Sequence, residues 1–215
     1  MLVGNRKNSQ FYKSLIVCLG ALMGLVVATT AVADEIFDRV QIRADGFYSE
    51  PTDAISGYGL DLSLAGHWVL VPGLVAEAGL ARVQERYHDQ TRGEVGLVSQ
   101  YGYLGGRLLL PVQVNWQLSA AARGFRGRLL VDDDEQRWQL INFSWLELGL
   151  HMSPPGHQDI VSVSARQYLW ADGAQDSRLT GEWIMAGSPW AWGLYAEVGL
   201  TTRFLQTGIS LNHRF

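Results

Sequence analysis

Apolar and polar residues alternate along most of this chain. From Tyr58 one parity holds Tyr58, Leu60, Leu62, Leu64 and Trp68, while Gly59, Asp61, Ser63 and His67 take the other. From Val112 the apolar parity runs Val112, Val114, Trp116, Leu118, Ala120 and Ala122, against Gln113, Asn115, Gln117, Ser119 and Arg123. Near the end, Leu205, Thr207, Ile209, Leu211, His213 and Phe215 oppose Gln206, Gly208, Ser210 and Asn212. Side chains change face at every residue of a β-strand, so each stretch is a strand with one greasy and one polar face.

Such strands build either a soluble sandwich, apolar face inward, or a membrane barrel, apolar face outward. Two features favour the barrel. The alternating stretches are longer than the five or six residues usual for soluble strands and reach the length of membrane-crossing ones. Their polar face collects Gly, Ser, Asn, Gln, Glu and Arg, which suits a filled polar lumen. Breakers at Glu50-Pro51-Thr52-Asp53, Val71-Pro72-Gly73, Pro111, Ser153-Pro154-Pro155-Gly156 and Gly187-Ser188-Pro189 divide the chain into hairpins. Polar stretches at 88–92, 126–137 and 171–177 add loops. The expected strands are 38–49, 54–70, 74–87, 94–110, 113–126, 137–152, 158–170, 178–187, 190–200 and 204–215. The fold expected is therefore all-β: an antiparallel, up-and-down transmembrane β-barrel. It has ten strands, or eight if 38–49 or 178–200 is irregular, and an even number places both termini on the periplasmic side.

The first 33 residues follow another pattern. Arg6, Lys7 and Lys13 precede an apolar run from Leu15 to Val27, and Ala31-Val32-Ala33 supplies a small-x-small cleavage site before Asp34. That order is the order of a secretory signal peptide. The expected organisation is a leader at 1–33 and a barrel domain at 34–215. The chain's single cysteine, Cys18, falls in the leader and follows Val17, which is not the small residue a lipid-attachment site needs. The barrel domain therefore has no disulfide and no cysteine metal site. The chain carries a net charge of −4, and both of its lysines, Lys7 and Lys13, lie in the leader. An acidic barrel domain excludes the basic patch that nucleic-acid binding requires. Trp68, Trp116, Trp190, Trp192 and Phe215 fall at the expected periplasmic strand ends. Tyr48, Tyr87, Trp138, Tyr168, Trp170 and Phe204 fall toward the opposite ends, as two interfacial aromatic rings would.

The last strand resembles the assembly signal of bacterial outer-membrane β-barrel proteins. Phe215 is terminal, and Ile209, Leu211 and His213 keep its parity, although His213 stands where an apolar or aromatic residue is usual. The resemblance covers about ten residues plus the whole-chain alternation, and it specifies a class rather than a family. It implies location in the bacterial outer membrane and contact with outer-membrane lipid, including lipopolysaccharide. During biogenesis it implies recognition by the barrel-assembly machinery and periplasmic chaperones.

One short element recurs, as Glu77-Ala78-Gly79-Leu80, Glu94-Val95-Gly96-Leu97, Glu147-Leu148-Gly149-Leu150 and Glu197-Val198-Gly199-Leu200. The glutamates are expected to face the lumen, with glycine on the same face making room. An unpaired buried charge costs several kcal/mol, so each needs a partner. Arg43, Arg82, Arg123 and Arg166 are the candidates, and Arg107 joins them if Gly105-Gly106 forms a bulge. The expected site is thus a structural lumen charge network of Glu77, Glu94, Glu147, Glu197, Arg43, Arg82, Arg123 and Arg166.

No residue set is assigned a catalytic, cofactor or metal role. His151-Met152-Ser153 resembles part of the triad of lipid A deacylase barrels, but it lies at the periplasmic end of its strand, beside Pro154. Ser162, Ser164 and Arg166 stand where an acid would be wanted. His88-Asp89 and the run Asp132-Asp133-Asp134-Glu135 are similar to the rim groups of outer-membrane aspartyl-type proteases, yet this chain is short and its acidic run reads as a solvated loop. The expected function is a small barrel with a side-chain-filled lumen and a non-enzymatic structural, adhesive or binding role. The alternatives are an outer-leaflet lipid-modifying enzyme and a narrow pore.

Overall fold

The computed structural model describes residues 38–52, 55–90, 93–132, 138–154, 159–185 and 189–215. The leader expected at 1–33 lies outside the described residues. The ten strands are β1 (Arg39–Thr52), β2 (Ile55–Val71), β3 (Leu74–Asp89), β4 (Gly93–Gln113), β5 (Trp116–Asp132), β6 (Trp138–Met152), β7 (Ile160–Trp170), β8 (Gln175–Ile184), β9 (Trp190–Gly199) and β10 (Arg203–Arg214). Each pairs antiparallel with its neighbours in sequence. β1 closes on β10 from Arg39↔Arg214 to Glu50↔Arg203, leaving no open edge. Closure matters in a membrane, where an unpaired backbone edge has no water to bond.

The two faces separate as the alternation requires. Leu60, Leu62, Leu64, Leu104, Leu148, Leu194, Leu205 and Ile209 point away from the barrel axis and are largely exposed. Asp45, Asp61, Glu77, Glu147 and Glu197 point toward the axis and are buried. A soluble protein would reverse this assignment, because exposing a continuous apolar belt to water is costly. Trp68, Trp116, Trp183, Trp190, Trp192 and Phe215 project from the lower end of this belt, and Tyr48 and Tyr58 from the upper end, whereas Trp170 turns into the lumen against Phe143. On β2, Trp68 and Tyr58 are ten positions apart, which on a strand tilted by about 40° spans roughly the 25 Å apolar band of an outer-membrane barrel.

Several strand ends differ from expectation. β4 runs to Gln113 despite Pro111, because the irregularity at Pro111/Gln113 falls at the rim, where a missing backbone donor costs least. β5 continues to Asp132 through a stretch read as loop. Its polarity inverts there: Leu129 lines the lumen, while Arg126 and Arg128 are exposed on the outer face. β8 begins at Gln175 and ends at Ile184. β7, β8 and β9, at 11, 10 and 10 residues, are just long enough to cross the apolar band, whereas β4, at 21 residues, is twice that length. The wall built by β3–β6 therefore stands higher than the wall built by β7–β9.

Candidate functional site

The middle of the lumen is filled by a continuous alternation of acids and arginines. Glu77 on β3 is at its centre. One carboxylate oxygen accepts from Arg107 Nε at 2.8 Å and the other from Arg123 Nε at 2.6 Å, with His67 Nδ1 at 3.2 Å. Arg107 reaches on to Glu147 at 2.7 Å, and Glu147 meets Arg166 Nε at 2.5 Å. Arg166 then donates to Glu197 at 2.8 Å, and Arg178 bridges Glu197 at 2.9 Å to Asp176 at 2.6 Å. The sequence Arg123–Glu77–Arg107–Glu147–Arg166–Glu197–Arg178–Asp176 crosses the lumen through every strand from β3 to β9. Each interior charge touches two of opposite sign, the arrangement that offsets the desolvation of buried ions. Arginine suits it because one planar guanidinium offers several fixed donors.

Aromatic rings complete the network. Arg123 lies over Tyr103 and Trp145 with centroids at 4.7 and 4.4 Å, and Arg178 lies 3.7 Å over Phe204. Hydroxyls of Tyr195 and Tyr168 donate to Glu197. The glycine of the recurring tetrapeptide provides the room. A Cβ on Gly79 would sit 2.5 Å from two ring atoms of Tyr103, which occupies the space instead. A second ion pair joins Arg43 to Asp45 at 2.6 Å, and Gln206 donates to the same carboxylate at 2.9 Å. Nearer the periplasmic end, Glu182 pairs with Arg39 at 3.7 Å and accepts from Gln41 at 2.7 Å.

The structure brings together Glu77, Glu147, Glu197, Arg123 and Arg166, and it places Arg43 in the adjacent pair. Two expected members stand elsewhere. Glu94 and Arg82 are exposed on the outer face. β4 has no bulge at Gly105-Gly106, which pair in unbroken register with Glu77 and Ala76. Positions 94 and 107 differ in parity, so an unbroken strand cannot send both inward; Arg107 takes the lumen and Glu94 the outside. Arg82 shares the outward parity of Leu80 on β3. Arg107 was tied to a bulge that is absent, and Arg178, Asp176, Arg39 and Glu182 were missed. Parity alone would have turned Arg178 and Glu182 inward together with Thr180.

His151 is buried in the lumen, with Nδ1 2.8 Å from Ser162 Oγ and Nε2 2.8 Å from Ser119 Oγ. Both ring nitrogens thus face serine hydroxyls, and Ser119 also accepts from Arg107 at 3.1 Å. This is a hydrogen-bond relay between strands rather than a nucleophile–base–acid order, in which the far nitrogen meets a carboxylate. Of the other groups considered, His88 is exposed on the outer face, the side chains of Asp89 and Asp132 are not described, and 133–137 lie outside the described residues. In the terminal strand, Ile209 and Phe215 are exposed on the outer face, and His213 stacks edge-on between Trp190 and Phe215 with centroids at 4.5 and 5.5 Å.

A closed antiparallel barrel, apolar outside and charged inside, with aromatic residues at both ends of its apolar belt, defines a membrane-spanning β-barrel of the bacterial outer-membrane class. No protein-family model matches the chain, and no curated protein matches it. In fold it is similar to the translocator domain of autotransporter NalP from Neisseria meningitidis, at a TM-score of 0.50 and 11% identity over 97% of each chain. It is similar also to the transport unit of the autotransporter AIDA-I from Escherichia coli, at a TM-score of 0.51 and 9% identity over 91% of this chain and 96% of that one. At such identities the likeness is one of fold.

Proposed function

We propose that this chain is a non-conducting, non-enzymatic outer-membrane barrel with a structural, adhesive or binding role. The observation that carries this reading is the acid–arginine sequence across the lumen at mid-depth. A ten-stranded barrel is narrow to begin with, and side chains held in two ion pairs each do not swing aside readily to pass ions. The hydroxyl and imidazole groups of Ser119, Ser162 and His151 point into this filled space, away from any lipid substrate. The outward apolar belt suits outer-membrane lipid. Arg126 and Arg128, exposed on the outer face in the upper part of β5, suit the phosphates of lipopolysaccharide, since guanidinium binds phosphate in a forked geometry. The terminal strand would serve the assembly machinery.

Conductance tests the reading. Purified barrel inserted in a planar lipid bilayer should add no ohmic steps above the bare membrane, under salt and voltage at which a porin gives them. Stable, uniform conductance steps from the wild-type protein would overturn the closed-lumen reading and favour the narrow pore.

A further inference from the structure

Above the charge sequence the lumen changes character. A cavity of about 400 Å³ runs along the lumen, lined from His151 and Ile160 at one end to Trp170 and Phe204 at the other, and in its upper part the walls differ in chemistry. The wall from β4 to β6 is aromatic. Phe125 and Phe143 stack with centroids 4.3 Å apart, and Tyr101 stands edge-on to both at 5.7 and 5.6 Å. The facing wall, from β1 to β3, is acidic. Asp45 and Asp61 are register partners directly across β1 and β2, and Glu85 is the register partner of Gly59, two positions from Asp61 on the same face.

The charges on the acidic wall do not balance. Like charges directly opposite on neighbouring strands repel. Arg43 engages Asp45 at 2.6 Å and lies over the Tyr195 ring at 4.1 Å. Arg178 is already engaged by Asp176 and Glu197. Among the described residues, no ion pair includes Asp61 or Glu85. Asp61 is only 8% exposed, lines the cavity, and its Oδ1 has no hydrogen-bond partner. A cation placed beside it would offset the cost of burying its charge.

We propose that this chamber binds an organic cation: an ammonium or amidinium head against Asp61 and Glu85, carried on an apolar or aromatic body that lies along Tyr101, Phe125 and Phe143. A bare metal ion fits less well. Among the described residues, no three His, Asp or Glu side chains converge to hold one, and hard cations take six or more oxygens. Aromatic faces attract cations whose hydration is weak, as that of an alkylated ammonium is. The extracellular mouth is the route of entry, since the ion-pair sequence crosses the lumen below. This inference rests on the binding form of the role proposed above. It is measured apart from conductance, so either can fail alone.

The test is calorimetric titration of the refolded barrel in detergent micelles with benzyltrimethylammonium chloride as the probe. Neutral benzyl alcohol and sodium chloride at equal ionic strength are the comparisons. The expected result is saturable one-to-one binding of the ammonium, with benzyl alcohol weaker by about tenfold or more, the loss that accompanies removal of a charged partner. Asp61→Asn, nearly isosteric, should weaken the ammonium by a similar factor while the heat-modified gel shift shows a folded barrel. Phe143→Leu should weaken both aromatic probes and serves as the second variant if Asp61→Asn does not fold. The proposal is overturned by any of four outcomes: no saturable binding, equal binding of the neutral probe, full affinity in folded Asp61→Asn, or competition by sodium as effective as by the ammonium.

Discussion

Changing Glu77 to glutamine will destabilise the barrel by about 3–5 kcal/mol, the cost of removing one partner from a buried ion pair. Glu77 is 2% exposed and is the shared acceptor of two guanidinium groups, with His67 beside it. Glutamine keeps the shape and one acceptor oxygen but puts an amide donor where a second acceptor stood, so either Arg107 or Arg123 faces a donor with a donor. Arg107 retains Glu147, and Arg123 keeps the rings of Tyr103 and Trp145. The same change at Glu94, which begins the same tetrapeptide, should cost less than about 0.5 kcal/mol, because that side chain is exposed on the outside. Urea unfolding from lipid vesicles measures both. Equal losses at the two positions would mean that the tetrapeptide, and not the lumen network, sets the stability.

Gly127→Leu will be comparably damaging, by about 3 kcal/mol, at the upper end of what overpacking usually costs. Gly127 on β5 faces the lumen opposite Tyr101. A Cβ there would meet the Gln100 carbonyl and lie 2.5 Å from Tyr101 Cβ and 2.6 Å from its Cα. Backbone atoms cannot swing aside as a flexible side chain can, so the β4–β5 ladder must open. Gly124→Ala on the same strand is the control. It meets nothing within 4 Å, and alanine is better than glycine in a strand. The pair should therefore separate clearly in unfolding midpoint, and a Gly127→Leu barrel as stable as wild type would refute the close approach.

The strands and their faces were legible because the barrel imposes one rule, a period of two, on nearly every residue. Leu60, Leu62 and Leu64 are set outward by the same alternation that turns Asp61, Ser63 and His67 inward. Legibility failed where that rule was read too locally. Glu94 was placed by analogy with Glu77, but its face depends on the parity of an unbroken 21-residue strand that also carries Arg107. The upper part of β5 was read as loop because a membrane strand is expected to be apolar outside, and there Arg126 and Arg128 are outside while Leu129 is inside. Such inversion belongs where the wall rises past the apolar band. The order of the ion pairs was not legible at all. Arg107 meets Glu147, and Arg178 meets Glu197, only through the relative stagger of strands, and that depends on hairpin lengths and rim irregularities such as those at Val69/Val71 and Pro111/Gln113. The acidic wall was half visible, since Asp61 was placed on the polar parity, but its imbalance appears only when Asp45 and Asp61 are seen to be paired.

The account depends most on which face of each strand meets lipid. Cys18 is the chain's single cysteine, so its replacement leaves a background for cysteines placed singly along β2 from Gly59 to Leu64. Each would carry an environment-sensitive fluorophore, in vesicles containing a lipid-borne quencher. Strong quenching at 60, 62 and 64 and weak quenching at 59, 61 and 63 is the predicted result. Quenching that ignores parity, or that is strongest at 59, 61 and 63, would contradict a barrel with its apolar face in the membrane and its charges within.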